Sequence, residues 1–163
     1  MRAFKIFTPL LVALLAWSPL HAKEAAPMSV AGTTTVSAAE AKKLFDAGAV
    51  FVDVRGEADF EAGRIPGAKH IAVKGKLSEE TLLAAVKKDQ TVVMYCNGQK
   101  CGLSAEACGK AVSWGFKNVK YFRDGFPGWQ KAGHPVEQAY RKPNLEKAKR
   151  RSSRCYSVKK LFS

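Results

Sequence analysis

Beyond its first twenty residues, the 163-residue sequence has no apolar run long enough to cross a membrane, which takes about 20 residues. A second membrane span is therefore excluded. The sequence also has no internal repeat, which argues against a solenoid or propeller. Its cysteines lack the neighbouring Cys or His residues that would complete the four ligands of a zinc site. We therefore predict neither a metal nor any other cofactor.

The one long apolar run lies at the N-terminus. The stretch IFTPLLVALLAWSPL follows two positive charges in MRAFK and precedes the small residue of LHA. This order is typical of a secretory signal peptide over residues 1–22, with cleavage expected near Ala22. An uncleaved N-terminal anchor is the alternative. We predict a periplasmic or secreted protein, whose remaining 141 residues suffice for one domain with a core.

Negative charge is scarce, and the imbalance is local. Lys and Arg number 27 against 14 Asp and Glu, for a net charge of +13. Residues 141–163 carry +8 of it, and Arg2 and Lys5 carry +2, so residues 23–140 carry only +3. A nearly balanced body gives no reason to expect a nucleic-acid partner. The basic segment either contacts an anionic membrane or an acidic protein, or is simply solvated.

The order of elements predicts an α/β fold. Short apolar runs typical of buried parallel strands, AVFVDVR, QTVVMYC and KNVKYF, alternate with helical patterns. Two of those patterns, SAAEAKKLFDAG and SEETLLAAVKK, begin with a Ser that caps the helix, and the third is LSAEACGKAVSWG. We predict a linker over residues 23–35, one domain over 36–139, and a basic, disordered tail over 140–163. The alternation indicates a mostly parallel central sheet flanked by helices in three layers.

Three segments together resemble the rhodanese-like sulfurtransferase family: VFVDVRGEADFEAGRIPGAKHI, VVMYCNGQKCGLSAEA and VKYFRDGFPGWQKAGHPV. The resemblance covers roughly residues 36–137 and implies a rhodanese-like fold. It also implies that Cys96 is a catalytic nucleophile carrying sulfur as a persulfide. The donor would be thiosulfate or another persulfide, and the acceptor a thiol or cyanide. We expect the protein to act as a monomer.

A Cys at the end of a buried strand lies where α/β proteins bind their ligands. If the loop curls around the sulfur, its backbone N–H groups form an anion nest, and the following helix adds its positive end. Such a field is expected to lower the pKa of the Cys96 thiol. Lys100 would steer an anionic donor. The predicted substrate-binding residues are Asn97, Gly98, Gln99, Lys100, Cys101 and Gly102.

The loop departs from the family pattern at two positions where arginine is usual, which Asn97 and Cys101 occupy. Cys101 is the candidate redox partner: it could form a disulfide with Cys96, resolve its persulfide, or be a passive loop residue. The alternative function is a non-catalytic binding or redox-sensing module with a Cys96–Cys101 disulfide. A phosphatase is a second enzyme hypothesis, which the sequence disfavours because Gly102 stands where the required arginine, six residues after the nucleophile, would be.

The remaining candidates have structural roles. Asp53, Arg55 and Ser104 are predicted to support the loop, as their counterparts do in the family. Cys108 is predicted to be a core thiol. Cys155, in the basic tail, is the fourth cysteine, and its partner is left open.

Overall fold

A computed structural model of the protein describes residues 25–138. The predicted signal peptide, its cleavage site, the basic tail and Cys155 lie outside these residues. Five strands and five helices follow one another: β1 (Thr34–Thr35), α1 (Ala38–Asp46), β2 (Val50–Asp53), α2 (Glu57–Ala62), β3 (Lys69–His70), α3 (Glu79–Ala85), β4 (Thr91–Tyr95), α4 (Leu103–Ser113), β5 (Asn118–Phe122) and α5 (Gly125–Lys131). Within residues 25–138, no helix is both long and apolar enough to cross a membrane.

All five strands form one parallel sheet in the order β1-β5-β4-β2-β3. The three strands predicted from apolar runs are its central members, with Val52 paired to Met94 and Met94 to Tyr121. Parallel neighbours need crossover connections, which the helices provide. The predicted α/β sheet flanked by helices is confirmed.

Side-chain hydrogen bonds fix where two helices begin. Ser37 caps α1 and exchanges hydrogen bonds with Glu40, and Ser78 caps α3 with Thr81 in the same arrangement. These capping boxes satisfy N–H groups that have no partner inside the helix. Both predicted N-caps are confirmed.

The core lies on both faces of the sheet, because successive strand residues point to opposite sides. On one face, Met94 and Cys96 pack with residues of α3 and α4. On the other, Val93 and Tyr95 pack with residues of α1 and α5, including the fully buried Trp129. The side chain of Cys96 therefore lies on the α4 face, as does the fully buried Cys108, predicted to be a core thiol.

The N-terminal segment differs from the predicted linker. Residues 34–35 pair with β5 as an edge strand, and Ala26 is only 3% exposed. Small residues such as those of AAPMSV carry no periodic pattern, so their packing against the domain is not visible in the sequence. The turn-rich segment after Arg55 also contains elements that were not predicted, the six-residue α2 and the two-residue β3.

Candidate functional site

Cys96 immediately follows the last residue of β4, at the edge of the sheet where the strands end. The loop that it opens runs to Gly102, after which α4 begins at Leu103. This is the edge where ligands bind in α/β sheets. The sequence placed Cys96 as the last residue of the strand, and the structure moves it one position into the loop.

The sulfur of Cys96 is fully buried among three oxygen atoms. The Cys101 carbonyl lies 3.1 Å from Cys96 Sγ, the Ser104 hydroxyl 3.0 Å and the Gly98 carbonyl 4.0 Å. A carbonyl only accepts hydrogen bonds, so the Cys96 S–H donates to Cys101 O. The predicted nest of N–H groups around the sulfur is absent from this loop conformation: the Cys101 N–H donates instead to Gly98 O, at 2.9 Å.

The surroundings of Cys96 favour the protonated thiol. Burial raises the pKa of Cys96 most, hydrogen bonds with Ser104 lower it, and the neighbouring Cys101 raises it. The predicted lowering of this pKa is therefore wrong for the loop conformation in the structure. Burial keeps water away from the sulfur, and a carbonyl oxygen faces it. Neither of these surroundings stabilises the negative charge of a thiolate. Cys96, Cys101 and Cys108 are all free thiols in the structure.

The turn before α5 holds the loop from the other side. Phe126 N–H donates to Cys96 O at 2.9 Å, and Gly125 adopts a positive φ of 57°. A Cβ atom on Gly125 would lie 2.2 Å from Cys96 O and 2.7 Å from Gly98 N. Only glycine permits this approach, so the RDGFPGW segment directly shapes the nucleophile loop.

A buried ion pair supports the loop at its start. Arg55 binds Asp53 with both Nε and Nη2 and also donates to Gly63 O. Its Nη1 donates to Asn97 Oδ1 at 3.3 Å, and Asn97 Nδ2 donates to Asp59 at 2.9 Å. The Asn97 side chain, predicted to bind substrate, is thus engaged in a network that ties the loop to β2 and α2.

Three other predicted loop residues, Gly98, Gln99 and Lys100, border a cavity next to α5. Gln99 donates to Asp124 at 2.6 Å, and with Lys100 it lines a cavity of about 710 Å³ that also borders α5. A second cavity, of about 210 Å³, lies on the α4 face and is lined by Val54, Leu103 and basic residues that include Arg55, Lys74 and Lys76. Cys96 lines neither cavity: the smaller one is bordered by Leu103, the first residue of α4, and the larger one by Lys100 together with residues of α5.

Within residues 25–138, no three His, Cys, Asp or Glu side chains are arranged to hold a metal ion. The chemistry available at this site is that of a shielded thiol, a hydroxyl that touches it, and nearby basic side chains.

Sequence reasoning missed residues that reach the site from distant parts of the chain. Tyr121 of β5 packs on the same face as Cys96, and its hydroxyl donates to Pro27 O at 3.1 Å. Ala26 N–H donates to Gln99 O at 2.8 Å. The even spacing of Tyr121 and Val119 in a buried strand indicated a shared face, but nothing in the sequence indicated the contacts of residues 26–27.

Comparison with known proteins supports the resemblance. The rhodanese-like domain family matches residues 37–132. An HTH-type transcriptional regulator of Mycobacterium tuberculosis is 36% identical over 104 residues, covering 63% of this chain and 44% of the regulator. Thiosulfate sulfurtransferase GlpE of Pseudomonas fluorescens is 32% identical over 97 residues, covering 60% of this chain and 84% of GlpE.

A solved structure gives the same picture. The polysulfide-sulfur transferase homodimer of Wolinella succinogenes matches with a TM-score of 0.55 and 26% identity, covering 70% of this chain and 83% of its own. The chain spans about half the length of the first relatives it matches, 44% of the regulator and 51% of a putative thiosulfate sulfurtransferase of M. tuberculosis.

Proposed function

The chain belongs to the rhodanese-like domain family, and from this premise we propose that it is an exported sulfurtransferase in which Cys96 carries the sulfur. The observation that carries the proposal is the position of the Cys96 thiol: it follows β4 directly, with the Ser104 hydroxyl 3.0 Å away. A hydroxyl at that distance can donate a hydrogen bond to a thiolate or to a persulfide and stabilise either anion.

The reaction has two steps. The Cys96 thiolate attacks the outer sulfur of thiosulfate, the S–S bond of the donor breaks, and sulfite leaves with the bonding electron pair. The product is a Cys96 persulfide anion. In the second step, cyanide or a thiolate attacks the outer sulfur, which leaves as thiocyanate or as a new persulfide and returns the Cys96 thiolate.

The donor must be small and anionic to suit the site. The α4-face cavity of about 210 Å³ has room for such an ion, and Arg55, Lys74 and Lys76 place positive charge on its wall. Arg55 is neutralised by Asp53, and Lys76 pairs with Glu57 at 3.1 Å. Lys74 therefore supplies the net positive charge at this cavity. The sequence assigned this steering role to Lys100, which faces the other cavity.

Cys101 gives the site a means of redox control. It is half-buried next to Cys96, and its thiol raises the pKa of Cys96. Exchange with an external disulfide, such as oxidised glutathione, would join the two sulfurs and release two glutathione thiols. The joined pair has no nucleophile. Reduction would restore activity.

Intact-mass measurement tests the catalytic proposal. The reduced protein, incubated with thiosulfate, is expected to gain about 32 Da, the mass of one sulfur, and to lose it on addition of cyanide with formation of thiocyanate. Cys96→Ser removes the gain, and Cys108→Ser is the matched control that keeps it. A wild type that gains no cyanide-labile sulfur from thiosulfate or from a persulfide donor contradicts the proposal and favours the non-catalytic module.

The redox proposal has a separate test. After treatment with oxidised glutathione, the wild type is expected to lose sulfur loading and to regain it with dithiothreitol. Cys101→Ser cannot form the intramolecular bond, so its Cys96 would be held as a mixed disulfide with glutathione, visible as an adduct of about 305 Da on tryptic peptide 89–100, which holds Cys96 alone. The same adduct on peptide 89–100 of the wild type would contradict the Cys96–Cys101 pairing.

A further inference from the structure

Residues 25–28, the N-terminal strap, touch the nucleophile loop by two routes. The first is direct: Ala26 N–H donates to Gln99 O within the loop, at 2.8 Å. The second passes through β5, where Tyr121 donates to Pro27 O at 3.1 Å. Tyr121 shares the α4 face with Cys96 and Ser104, and all three are fully buried.

Arg123 clamps the strap from the end of β5. Its Nε and Nη2 donate to Ala26 O, at 3.2 and 3.1 Å, and Nε also donates to Pro27 O at 3.0 Å. With these contacts Ala26 is 3% exposed, although it lies in a segment with no helix or strand of its own. The guanidinium of Arg123 thus binds two successive carbonyl groups of the strap and fixes the position of its backbone.

Hydrogen-bond polarity fixes the part that Tyr121 plays. Pro27 O can only accept, so the Tyr121 hydroxyl donates to it. Burial raises the pKa of Tyr121, so the hydroxyl keeps the proton that it donates. While the strap is held in this way, Ala26 stays bound to Gln99 O, and the loop keeps the Cys101 carbonyl 3.1 Å from the sulfur of Cys96.

We propose that the N-terminal strap is a positioning element for Cys96: held in place by Tyr121 and Arg123, it holds the loop closed through Ala26 and so keeps the Cys96 S–H on the Cys101 carbonyl. Displacing the strap frees Gln99, allows the Cys101 carbonyl to leave the sulfur, and opens the buried thiol to water. This inference rests on the role proposed for Cys96, but its test measures the reactivity of the thiol and needs no sulfur transfer.

The test is alkylation of the reduced full chain with iodoacetamide, followed over time at several pH values. Trypsin cuts after Lys88, Lys100 and Lys110 and so separates Cys96, in peptide 89–100, from Cys101 and Cys108 in peptide 101–110. The variants are Arg123→Ala, which removes the clamp, and Tyr121→Phe, which keeps the ring and loses only the hydroxyl. Lys120→Ala is the matched control, because Lys120 also lies on β5 and donates to Thr34, beyond the strap.

Both strap variants are expected to alkylate Cys96 at least about tenfold faster than the wild type, because the reactive open state gains population when these hydrogen bonds are lost. They are also expected to lower the pH midpoint of the reaction. The titratable groups facing Cys96 are Cys101 from the loop, Cys108 from α4 and Tyr121 from β5, and Arg123 acts on Tyr121. Of these groups, the substitution Tyr121→Phe changes Tyr121 alone.

Cys108 reports global unfolding, since it is fully buried in α4. A variant that merely destabilises the fold would speed alkylation of Cys108 and Cys96 together and leave the pH midpoint of Cys96 unchanged. That result overturns the proposal. So does a Cys96 alkylation rate and pH midpoint in both strap variants equal to those of the wild type. An effect of Lys120→Ala as large as that of the strap variants overturns it as well. Faster alkylation of Cys96 alone, with a lowered midpoint, supports it even if thiosulfate loads no sulfur.

Discussion

Gly125→Ala tests how closely the turn before α5 presses on the nucleophile loop. The residue adopts a φ of 57°, and its added methyl group would lie 2.2 Å from Cys96 O. Left-handed backbone costs a residue with a side chain about 1–2 kcal/mol, displacing backbone to relieve a clash about 1–3 kcal/mol, and losing the Phe126–Cys96 hydrogen bond about 1 kcal/mol. Together these predict a loss of about 3–6 kcal/mol in the free energy of unfolding.

Gly48→Ala is the matched control for this prediction. Gly48 also has a positive φ, of 80°, but no atom lies within 4 Å of the place where its Cβ would be. It therefore loses only the backbone term, about 1–2 kcal/mol. The assay is urea unfolding of both variants and the wild type, followed by circular dichroism, with sulfur loading measured on the folded proteins.

We expect Gly125→Ala to be the less stable variant by about 2–4 kcal/mol, and to load little sulfur while still folded, because the clash falls on the backbone of Cys96. A chain that does not fold at all, beside a folded Gly48→Ala, agrees with the upper end of the range. Equal free energies of unfolding for the two variants, within about 0.5 kcal/mol, would refute the reasoning, since the turn would then yield without cost.

Three further predictions concern the site and its support. Ser104→Ala removes the hydroxyl that touches the sulfur. The pH midpoint for alkylation of Cys96, measured on peptide 89–100, should therefore rise, and the rate at neutral pH should fall about tenfold. An unchanged midpoint would mean that Ser104 does not stabilise the thiolate. Burial raises the pKa of Cys96 above its unfolded value, so its contribution to stability is complete below the unfolded pKa and is lost as pH rises through the folded one. Urea midpoints should therefore decline in alkali. Burial also raises the pKa of Cys108 and Tyr121, so Cys96→Ser should show a smaller decline than the wild type, and an equal decline in both proteins would show that Cys96 does not contribute. Asp53→Ala leaves the buried Arg55 without its partner and should lower the free energy of unfolding, measured by urea titration, by about 3–5 kcal/mol. A loss below about 1 kcal/mol would show that solvent reaches the guanidinium.

Local sequence patterns predicted most of the fold. The three central strands are short apolar runs, and the helices α1 and α3 begin at Ser37 and Ser78 because each Ser has a hydrogen-bonding residue three positions later. Apolar periodicity and capping act over a few residues, and such information is contained in the segment itself. The position of Cys96 at the end of β4 follows from the same kind of pattern.

The surroundings of the Cys96 sulfur depend on its burial and on a peptide orientation that the sequence does not determine. A loop from Asn97 to Gly102 can turn either N–H groups or carbonyl groups toward the sulfur. In the structure the Cys101 carbonyl is turned inward and accepts the S–H of Cys96, and burial raises the pKa of this thiol, opposite to the expected direction. The conformation of a loop is decided by contacts with its surroundings, here with Ala26 and Phe126.

Local sequence patterns also do not determine on which side of the sheet a charged side chain lies. Lys100 is four residues from Cys96 and was the natural candidate for steering a donor. Alternation along β4 places the sulfur on the α4 face, where the basic side chains come from the segment after β3. Only the assembled sheet shows that Lys74 and Leu103, the first residue of α4, line the same cavity.

The pairing of the first strand with the last has a consequence for the order of folding. The strap and β1 bind β5, and the contacts from Ala26 to Arg123 span 97 positions of the chain. Closing so large a loop is slow and must wait until β5 has formed. During synthesis and refolding, the strand–loop–helix unit from 91 to 113 can therefore assemble while its thiol is uncovered, and the period of greatest exposure to oxidants comes before the native state is reached.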